Sequence, residues 1–329
     1  MKKIKFIALG ILLVILLAAI PTNANNSIKS VKEAAEIAEK ELLLKEGITG
    51  ISYTDSEPYK IIIYIESEEY RSIVPSEIMS FKTDVRVSGR IVACSLLAEP
   101  QSVVIPQLLR KSRHTHWDPT VGGISVGTYY LTDSYGTLAV VTSGYILSCT
   151  HVIAQNTEGK HLWSGVSVIQ PGLGDGGGPT IGYLYKYIKI RYGYLSYIFS
   201  NKADAAIATL SHSALSNQVL GPDDEHCYSV SMTAVVPNVG QTVRKSGATT
   251  AVTQNIVTDN HATVKIRYTL SKWAIFKDQI IVQQPFVEGG DSGSFVDLNG
   301  KFVGLVFAGS KYYVGIVCKA SYIKSALGI

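Results

Sequence analysis

The feature that most constrains the fold is a series of short apolar segments, broken by glycine, that begins at Val121. Its clearest members are residues 136–141, 145–148, 180–184, 205–210, 264–268, 280–283 and 302–307. Segments of this length and spacing are typical of antiparallel strands in a barrel or a sandwich. The first helix-length periodic segment after Val121 is 320–327, so we predict a mainly β domain over residues 121–329.

Residues 25–93 have a different pattern, which is typical of a small α/β domain. Apolar residues recur at helical spacing from Val31 to Leu42. The elements predicted after this helix are strands at 51–53 and 61–65, a short helix from 66 to 70, and a strand at 85–91. The resulting α-β-β-α-β unit is too short to carry a large active site. We predict either a pro-domain or a permanent structural or targeting module.

The first 24 residues predict a signal peptide. Three lysines precede the apolar stretch 6–20, which is short for a membrane span, and Pro21 and Thr22–Ala24 fit a cleavage site. The alternative is a retained membrane anchor. Removing this segment takes away three lysines and no acid, so the formal net charge falls from +4 to +1. A net charge this small does not indicate nucleic-acid binding. We expect a secreted protein that contacts a membrane only if the segment is retained.

Residues 94–120 are predicted to be a connector, because three prolines interrupt them. The basic run 110–113 is typical of a solvated loop, and a processing site is the alternative. His114, His116 and Asp118 are interpreted as exposed residues, because no further metal ligand is evident beside them. The sequence predicts no metal and no cofactor.

Four cysteines follow the predicted signal peptide. Their even number permits two disulfides in an exported protein, in any of three pairings. Free buried cysteines are the alternative. The four residues are Cys94, Cys149, Cys227 and Cys318.

Three separate signals predict a nucleophilic serine site. Ser292 lies between glycines in Gly290–Ser294, where the amides of Gly290 and Ser292 can face an oxyanion. His151 follows the apolar strand 145–148, and Asp204 directly precedes a buried strand, where an imidazole N–H would satisfy its charge. The chain order His–Asp–Ser excludes nucleophile-elbow enzymes (Ser–Asp–His) and subtilisin-like enzymes (Asp–His–Ser).

At these residues the sequence resembles trypsin-like (chymotrypsin-fold) serine peptidases, and in particular their prokaryotic branch. Thr150–His151, Asp204–Ile207 and Gly290–Ser294 are similar to the three signature segments of that family. Val303–Gly309 resembles the strand that follows the nucleophile and lines the primary specificity pocket. The segments 122–127, 170–172 and 307–310 are closer to the prokaryotic branch than to digestive enzymes. The similarity covers roughly residues 121–329 and implies two six-stranded antiparallel barrels with the site between them.

The resemblance also implies a role for each site residue. His151 would act as general base and then general acid, Asp204 would orient it, and Ser292 would form an acyl-enzyme. The amides of Gly290 and Ser292 would form the oxyanion hole. The predicted substrate-binding residues are Phe286, Phe307 and Gly309. Because Phe286, six residues before the nucleophile, is not an acid, an apolar or small substrate side chain is favoured over Lys or Arg.

These observations predict a secreted serine endopeptidase that acts on protein or peptide substrates. The alternatives are a catalytically silent peptide-binding protein of the same fold and a serine esterase. Asp291 needs a cationic partner, which in digestive relatives is a new N-terminus made by cleavage. Val121 is the candidate for such an N-terminus here.

Overall fold

The structure, a computed structural model, describes residues 28–94 and 112–329. The predicted signal peptide and residues 95–111 of the predicted connector lie outside the described residues. Within the described part of the chain, no helix is both long and apolar enough to cross a membrane.

The N-terminal part is a helix packed on a small sheet; the predicted helix, two strands and short helix follow in order, but three strands then occur where the sequence pattern predicts one at 85–91. Its elements are α1 (Ile28–Leu42), β1 (Ile48–Tyr53), β2 (Ile61–Ile65), a 3₁₀ helix (Glu68–Ile73), β3 (Glu77–Ile78), β4 (Phe81–Val87) and β5 (Val92–Ala93). β1 and β2 are antiparallel, and β2 and β4 are parallel. The apolar face of α1 packs on this sheet, because Val31, Ala34, Ala38 and Leu42 recur at helical spacing and are buried.

The next part of the chain forms a first β-barrel. Its elements are β6 (Thr120–Gly122), β7 (Ile124–Thr128), β8 (Gly136–Leu138), β9 (Val140–Thr142), β10 (Tyr145–Ser148), α2 (Thr150–Ile153), β11 (Ser167–Ile169), β12 (Thr180–Tyr187), α3 (Gly193–Ile198) and β13 (Ala206–Leu210). The antiparallel order is β8-β7-β11-β12-β13-β10-β9. β8 and β9 are halves of one strand interrupted at Ala139, so the ring contains six strands.

The C-terminal part forms a second barrel. Its elements, with the connection from the first barrel, are β14 (Ala214–Leu220), β15 (Cys227–Ser229), β16 (Ser231–Ala234), β17 (Thr242–Gly247), β18 (Ala251–Arg267), β19 (Trp273–Gln283), β20 (Phe295–Leu298), β21 (Lys301–Gly309), β22 (Val314–Lys319) and α4 (Ala320–Leu327). The ring runs β17-β20-β21-β22-β19-β18 and closes because β17 also pairs with β18. The predicted double barrel of six-stranded antiparallel sheets is confirmed.

A long hairpin joins the N-terminal part to the second barrel. β18 has 17 residues, and its residues Thr263 and Val264 pair with Ile51 and Gly50 of β1. The N-terminal sheet thereby continues the sheet of the second barrel and covers an edge that would otherwise expose unpaired backbone groups. The N-terminal part and the second barrel therefore share one continuous sheet.

Arg113 departs from the solvated loop that the basic run predicts. Its side chain is buried, and its guanidinium donates to the carbonyls of Gly123 (3.1 Å) and Gly247 (3.0 Å) and pairs with Asp224 (2.5 Å). The solvated-loop prediction is wrong at this residue, because a guanidinium with five donors can be buried where several carbonyls converge on it. Arg113 thus links strands of both barrels.

The disulfide prediction is wrong for this structure, because all four cysteines are free. Cys94, Cys149 and Cys318 are buried and Cys227 is half-buried. The Cys149 thiol donates to the carbonyl of Val306 at 3.3 Å. Burial raises the pKa of the Cys94 and Cys318 thiols to about 12. These thiols are therefore protonated at neutral pH and pack as small, weakly polar core groups.

Candidate active site

The three residues predicted to be catalytic meet between the two barrels. His151 lies in α2, Asp204 precedes β13, and Ser292 lies in the turn before β20. His151 Nδ1 is 2.6 Å from Asp204 Oδ2, and His151 Nε2 is 2.7 Å from Ser292 Oγ. His151 is 4% exposed and the other two residues are 0% exposed. The arrangement has the hydrogen-bond connectivity of a Ser-His-Asp triad.

Strand register brings His151 and Asp204 together. Ser148 at the end of β10 is paired with Ala206 at the start of β13. The chain leaves β10 and turns into α2 directly beside the residues that enter β13. The His151 amide then donates to Asp204 Oδ1 at 3.2 Å, and Thr150 Oγ1 donates to the carbonyl of Ala205 at 2.8 Å. Two backbone-anchored contacts therefore hold the imidazole against the carboxylate.

Tyr268 is a site residue that sequence reasoning missed. Its hydroxyl donates to Asp204 Oδ2 at 2.7 Å, and its ring packs edge-on against His151 with centroids 5.6 Å apart. Burial raises the pKa of Tyr268 well above its ordinary value, so the phenol remains a donor. No local motif marks Tyr268, because it reaches Asp204 only through the extension of the β18–β19 hairpin.

We expect Tyr268→Phe to reduce kcat/KM by roughly 10-fold, the value of one hydrogen bond to a charged group. The loss should fall on kcat, because the phenol contacts Asp204 and positions the imidazole through it. The matched control is Tyr192→Phe, since the Tyr192 ring packs on Tyr268 but its hydroxyl donates to Gln155. Steady-state kinetics on both variants test this, and a change confined to KM, or equal losses in the two variants, would contradict the positioning role.

The turn that carries Ser292 requires glycine at two positions. Gly290 has a φ of +91° and Gly293 a φ of +96°, in the left-handed region that side chains disfavour. A Cβ added at Gly293 would also lie 2.2 Å from the carbonyl oxygen of Thr137. Thr137, in β8 of the first barrel, donates its amide to the Ser292 carbonyl (2.6 Å) and its hydroxyl to the Gly290 carbonyl (2.8 Å). The first barrel therefore holds the nucleophile turn of the second.

Two backbone amides in this turn are available to a ligand. Within residues 28–94 and 112–329, the N–H groups of Gly290 and Ser292 donate to no protein acceptor, whereas the amides of Asp291 and Gly293 donate to Glu288 and Val306. The free amides of a nucleophile and of the residue two before it can stabilise an oxyanion that forms next to that nucleophile. These are the two amides that the sequence predicts for the oxyanion hole.

Asp291 has a cationic partner inside the second barrel. The Lys245 ammonium lies 3.1 Å from Asp291 Oδ2, and both side chains are 0% exposed. The carboxylate also accepts from the Thr250 hydroxyl at 2.6 Å and from the amides of Thr249 (3.1 Å) and Glu288 (3.0 Å). Burial lowers the pKa of Lys245, and the charge of Asp291 opposes that change. The nucleophile turn is thus attached to β17 by an internal ion pair.

Val121 is not the cationic partner of Asp291 in this structure. It lies in β6, is 0% exposed, and belongs to a strand that pairs with β14. Because Lys245 already neutralises Asp291, the site has no need of a new N-terminus at Val121.

The residues predicted to bind substrate differ in which of their atoms reach the site. The Phe307 side chain packs in the core on Phe276, with ring centroids 4.8 Å apart, while its carbonyl oxygen lies 3.3 Å from Ser292 Oγ. Gly309 has little room for a side chain, because an added Cβ would lie 2.7 Å from Val287 Cγ2. The Phe286 side chain is buried, since the residue is only 1% exposed.

Phe286 and Val287 pack over the paired glycines Gly309 of β21 and Gly315 of β22. A Cβ added at Gly315 of β22 would lie 3.1 Å from Phe286 Cδ1 and 3.2 Å from Val287 Cγ1. Two large apolar side chains therefore pack against the backbone of β22.

One group of potential metal ligands occurs in the described part of the chain. Cys149, His151 and Asp204 place their ligand atoms within 4.8 Å of one another. The imidazole and the carboxylate of this group are already hydrogen-bonded to each other. His114 instead contacts Asp175 at 2.9 Å. His116 contacts a different residue, the side chain of Gln170, at 3.1 Å.

Comparisons with known proteins gave similar solved structures only. No protein-family model matches the sequence, and no curated protein matches it. The solved structures include a chymotrypsin from Cellulomonas bogoriensis, with 17% identity, a TM-score of 0.46, and coverage of 63% of this chain and 95% of that chain.

A glutamic acid-specific serine protease has 20% identity and a TM-score of 0.47, over 64% of this chain and 98% of that chain. The Nocardiopsis protease NAPase has 14% identity and a TM-score of 0.46, over 63% of this chain and 96% of that chain. Solved structures of prokaryotic chymotrypsin-like serine proteases are therefore among those to which this chain is similar, as its motifs predict.

Proposed function

We propose that this protein is a serine endopeptidase. The observation that carries the proposal is the hydrogen-bonded series Asp204–His151–Ser292, with distances of 2.6 and 2.7 Å, beside the two free amides of the nucleophile turn. A buried serine hydroxyl in contact with an imidazole is activated for attack on a carbonyl. The groups for proton transfer and for oxyanion stabilisation therefore lie beside the same serine.

The geometry supports a two-step acyl transfer. Ser292 Oγ attacks the substrate carbonyl carbon while His151 Nε2 takes the hydroxyl proton. Asp204 keeps the Nδ1–H tautomer and stabilises the imidazolium, and the amides of Gly290 and Ser292 stabilise the oxyanion. His151 then protonates the leaving amine, and water hydrolyses the acyl-enzyme by the same proton path in reverse.

We also propose that residues 25–93 act as an intramolecular pro-domain of an exported enzyme. The support is that β1 extends the sheet of the second barrel, and that Ser52 and Tyr64 donate to the buried Asp259 of β18 at 2.9 and 2.8 Å. A unit paired in this way can template the long hairpin during folding. Export is supported by the pattern of residues 1–24.

An active-site-directed phosphonylating probe tests the catalytic proposal. We expect the processed protein to be phosphonylated at Ser292 and to lose peptide hydrolysis in proportion to labelling, whereas Ser292→Ala should not be labelled. Peptide mapping by mass spectrometry locates the adduct. The exposed Ser231 offers a matched control, since Ser231→Ala should be labelled like the wild type. A folded, processed sample that hydrolyses no peptide and takes no label would refute the proposal.

A further inference from the structure

The short helix α3 turns its polar side toward the protein and its apolar side toward solvent. Ser196 is 0% exposed, and its hydroxyl donates to the Gly193 carbonyl at 2.6 Å and accepts from the Ile275 amide at 3.0 Å. A helix at the surface of a soluble protein normally has the opposite arrangement. The large apolar residues in and just after α3 form what we call the α3 patch, with exposed fractions of 72% for Tyr194, 53% for Leu195, 67% for Ile198 and 59% for Phe199.

Hydrogen bonds hold the backbone that carries the α3 patch. The buried side-chain amide of Asn201 accepts from the Arg191 amide at 2.9 Å, and it donates to the carbonyls of Arg191 (2.9 Å) and Ile275 (3.1 Å). Between these anchors, the Tyr197 hydroxyl donates to the Lys40 carbonyl at 3.0 Å. The apolar side chains therefore face solvent from a fixed backbone, and they cannot turn inward without breaking these contacts.

The tip of the β18–β19 hairpin adds a further exposed apolar side chain beside α3. Leu270 is 95% exposed. Trp273, three residues later, packs edge-on against Tyr194 with ring centroids 5.9 Å apart, and the Arg267 guanidinium donates to the Leu270 carbonyl at 3.2 Å. Apolar surface that remains exposed on two neighbouring elements is typical of an interaction site.

The charge around this apolar surface is positive. Segments 186–202 and 265–277, which include α3 and the hairpin tip, each contain four basic residues and no Asp or Glu. Two neighbouring carboxylates, Glu39 and Asp278, are themselves paired with Lys277 and Lys319. Apolar side chains surrounded by bases are complementary to a bilayer with anionic headgroups. The eight basic residues are Lys186, Lys189, Arg191, Lys202, Lys265, Arg267, Lys272 and Lys277.

We propose that the α3 patch and the tip of the β18–β19 hairpin form a membrane-docking surface that binds a bilayer with anionic headgroups. The apolar side chains enter the interfacial region of the bilayer, where the amphipathic ring of Tyr194 is favoured. Lys189 and Arg191 stay at the level of the headgroups, because their long apolar stems let the charged ends reach water. An uncharged apolar peptide would have no use for the surrounding bases, so the charge favours the bilayer. This inference does not depend on the proposed peptidase activity.

Co-sedimentation of the exported protein with lipid vesicles tests the docking surface. Vesicles of phosphatidylcholine are compared with vesicles of an equimolar mixture of phosphatidylglycerol and phosphatidylcholine. At low salt we expect the partition coefficient to be at least about 10-fold larger on the anionic vesicles. It should fall toward the phosphatidylcholine value as sodium chloride is raised to about 0.5 M, because salt screens the attraction.

A double apolar variant tests the contribution of the α3 patch. Ile198→Ser/Phe199→Ser should lower the partition coefficient on anionic vesicles by at least about 10-fold, since two large apolar side chains no longer leave water. Val236→Ser/Val239→Ser, at exposed positions between β16 and β17, is the matched control and should bind as the wild type does. Thermal unfolding followed by circular dichroism checks that both variants are folded.

A double charge variant separates the local basic residues from the net charge of the protein. Lys189→Gln/Arg191→Gln should lower binding to anionic vesicles by about 10-fold or more and leave binding to phosphatidylcholine unchanged. Lys82→Gln/Lys301→Gln removes the same net charge at exposed positions of β4 and β21, and it should bind within about 2-fold of the wild type. Equal losses in a patch variant and its control would overturn the inference.

Hydrogen–deuterium exchange locates the contact without any substitution. Anionic vesicles should slow exchange in residues 193–199 and 268–272, and protection confined to other segments would overturn the inference, as would equal binding to both kinds of vesicle. If Ile198→Ser/Phe199→Ser raised the KM for peptide hydrolysis but left vesicle binding unchanged, the patch would be a peptide site instead. Failure of the phosphonylating probe to label Ser292 would refute the peptidase proposal and leave the vesicle results unaffected.

Discussion

Replacement of Ser292 by alanine is expected to lower peptide hydrolysis by roughly 10⁴- to 10⁶-fold while leaving the fold intact. The hydroxyl is the atom that would form the acyl-enzyme, and no other side chain shares the hydrogen bond to His151 Nε2 among the described residues. His151→Ala should have a similar effect, because an alcohol without a base is a weak nucleophile.

The double variant Ser292→Ala/His151→Ala distinguishes a catalytic unit from two independent residues. We expect it to be no worse than either single variant by more than a few-fold, since residues that act as a unit have non-additive effects. Every variant should carry an added site for an external protease within residues 95–111, so that removal of the proposed pro-domain does not depend on the activity of the variant itself. Ser231→Ala is the matched control. Retention of more than a tenth of the activity in Ser292→Ala would exclude this serine as the nucleophile.

Removal of the Lys245 ammonium is expected to produce the largest loss of stability. Lys245→Met leaves the buried carboxylate of Asp291 without a counter-charge, which typically costs about 3–5 kcal/mol of unfolding free energy. Because Asp291 lies between the two amides of the oxyanion hole, the same change should also reduce kcat by about 10²-fold or more. Urea unfolding followed by circular dichroism measures the first effect, and steady-state kinetics measures the second.

Two further variants show whether the loss comes from the ion pair. Lys245→Met/Asp291→Asn removes both charges, so it should recover much of the stability lost in Lys245→Met, as neutral replacements of buried pairs often do. Lys301→Met, at an exposed position of β21, should change stability by less than about 0.5 kcal/mol. If Lys245→Met unfolded at the wild-type urea concentration, the ion pair would not be what stabilises the turn.

The strands of both barrels could be predicted from the sequence because alternating and short apolar runs are local patterns. The helix over Ile28–Leu42 is equally local, since its apolar face repeats every three or four residues. The length of β18 could not be predicted. Its 17 residues continue past the barrel because β1, more than 200 residues earlier in the chain, pairs with Thr263 and Val264. A strand continues as far as another strand pairs with it, and no pattern within β18 identifies β1 as that partner.

The candidate site likewise contains some residues that could be predicted from the sequence and others that could not. His151, Asp204 and Ser292 could be selected from the sequence because each lies in a recognisable local setting and their order is diagnostic. Tyr268 and Lys245 could not be selected, because their only distinguishing property is the buried carboxylate that each contacts. Buried charges require partners, but the identity of the partner depends on strand register and not on spacing along the chain.

The sequence alone determined the class of fold and the side chains able to carry acyl-transfer chemistry. Both follow from local apolar patterns and from residue types at short spacing. The tertiary structure decided what those residues contact: Lys245 lies beside Asp291, and Tyr268 lies beside Asp204. In the structure the four thiols are also free, although an even number of cysteines would permit two disulfides. The physical reason is that pairing between distant strands, and the burial that accompanies it, sets which polar groups meet.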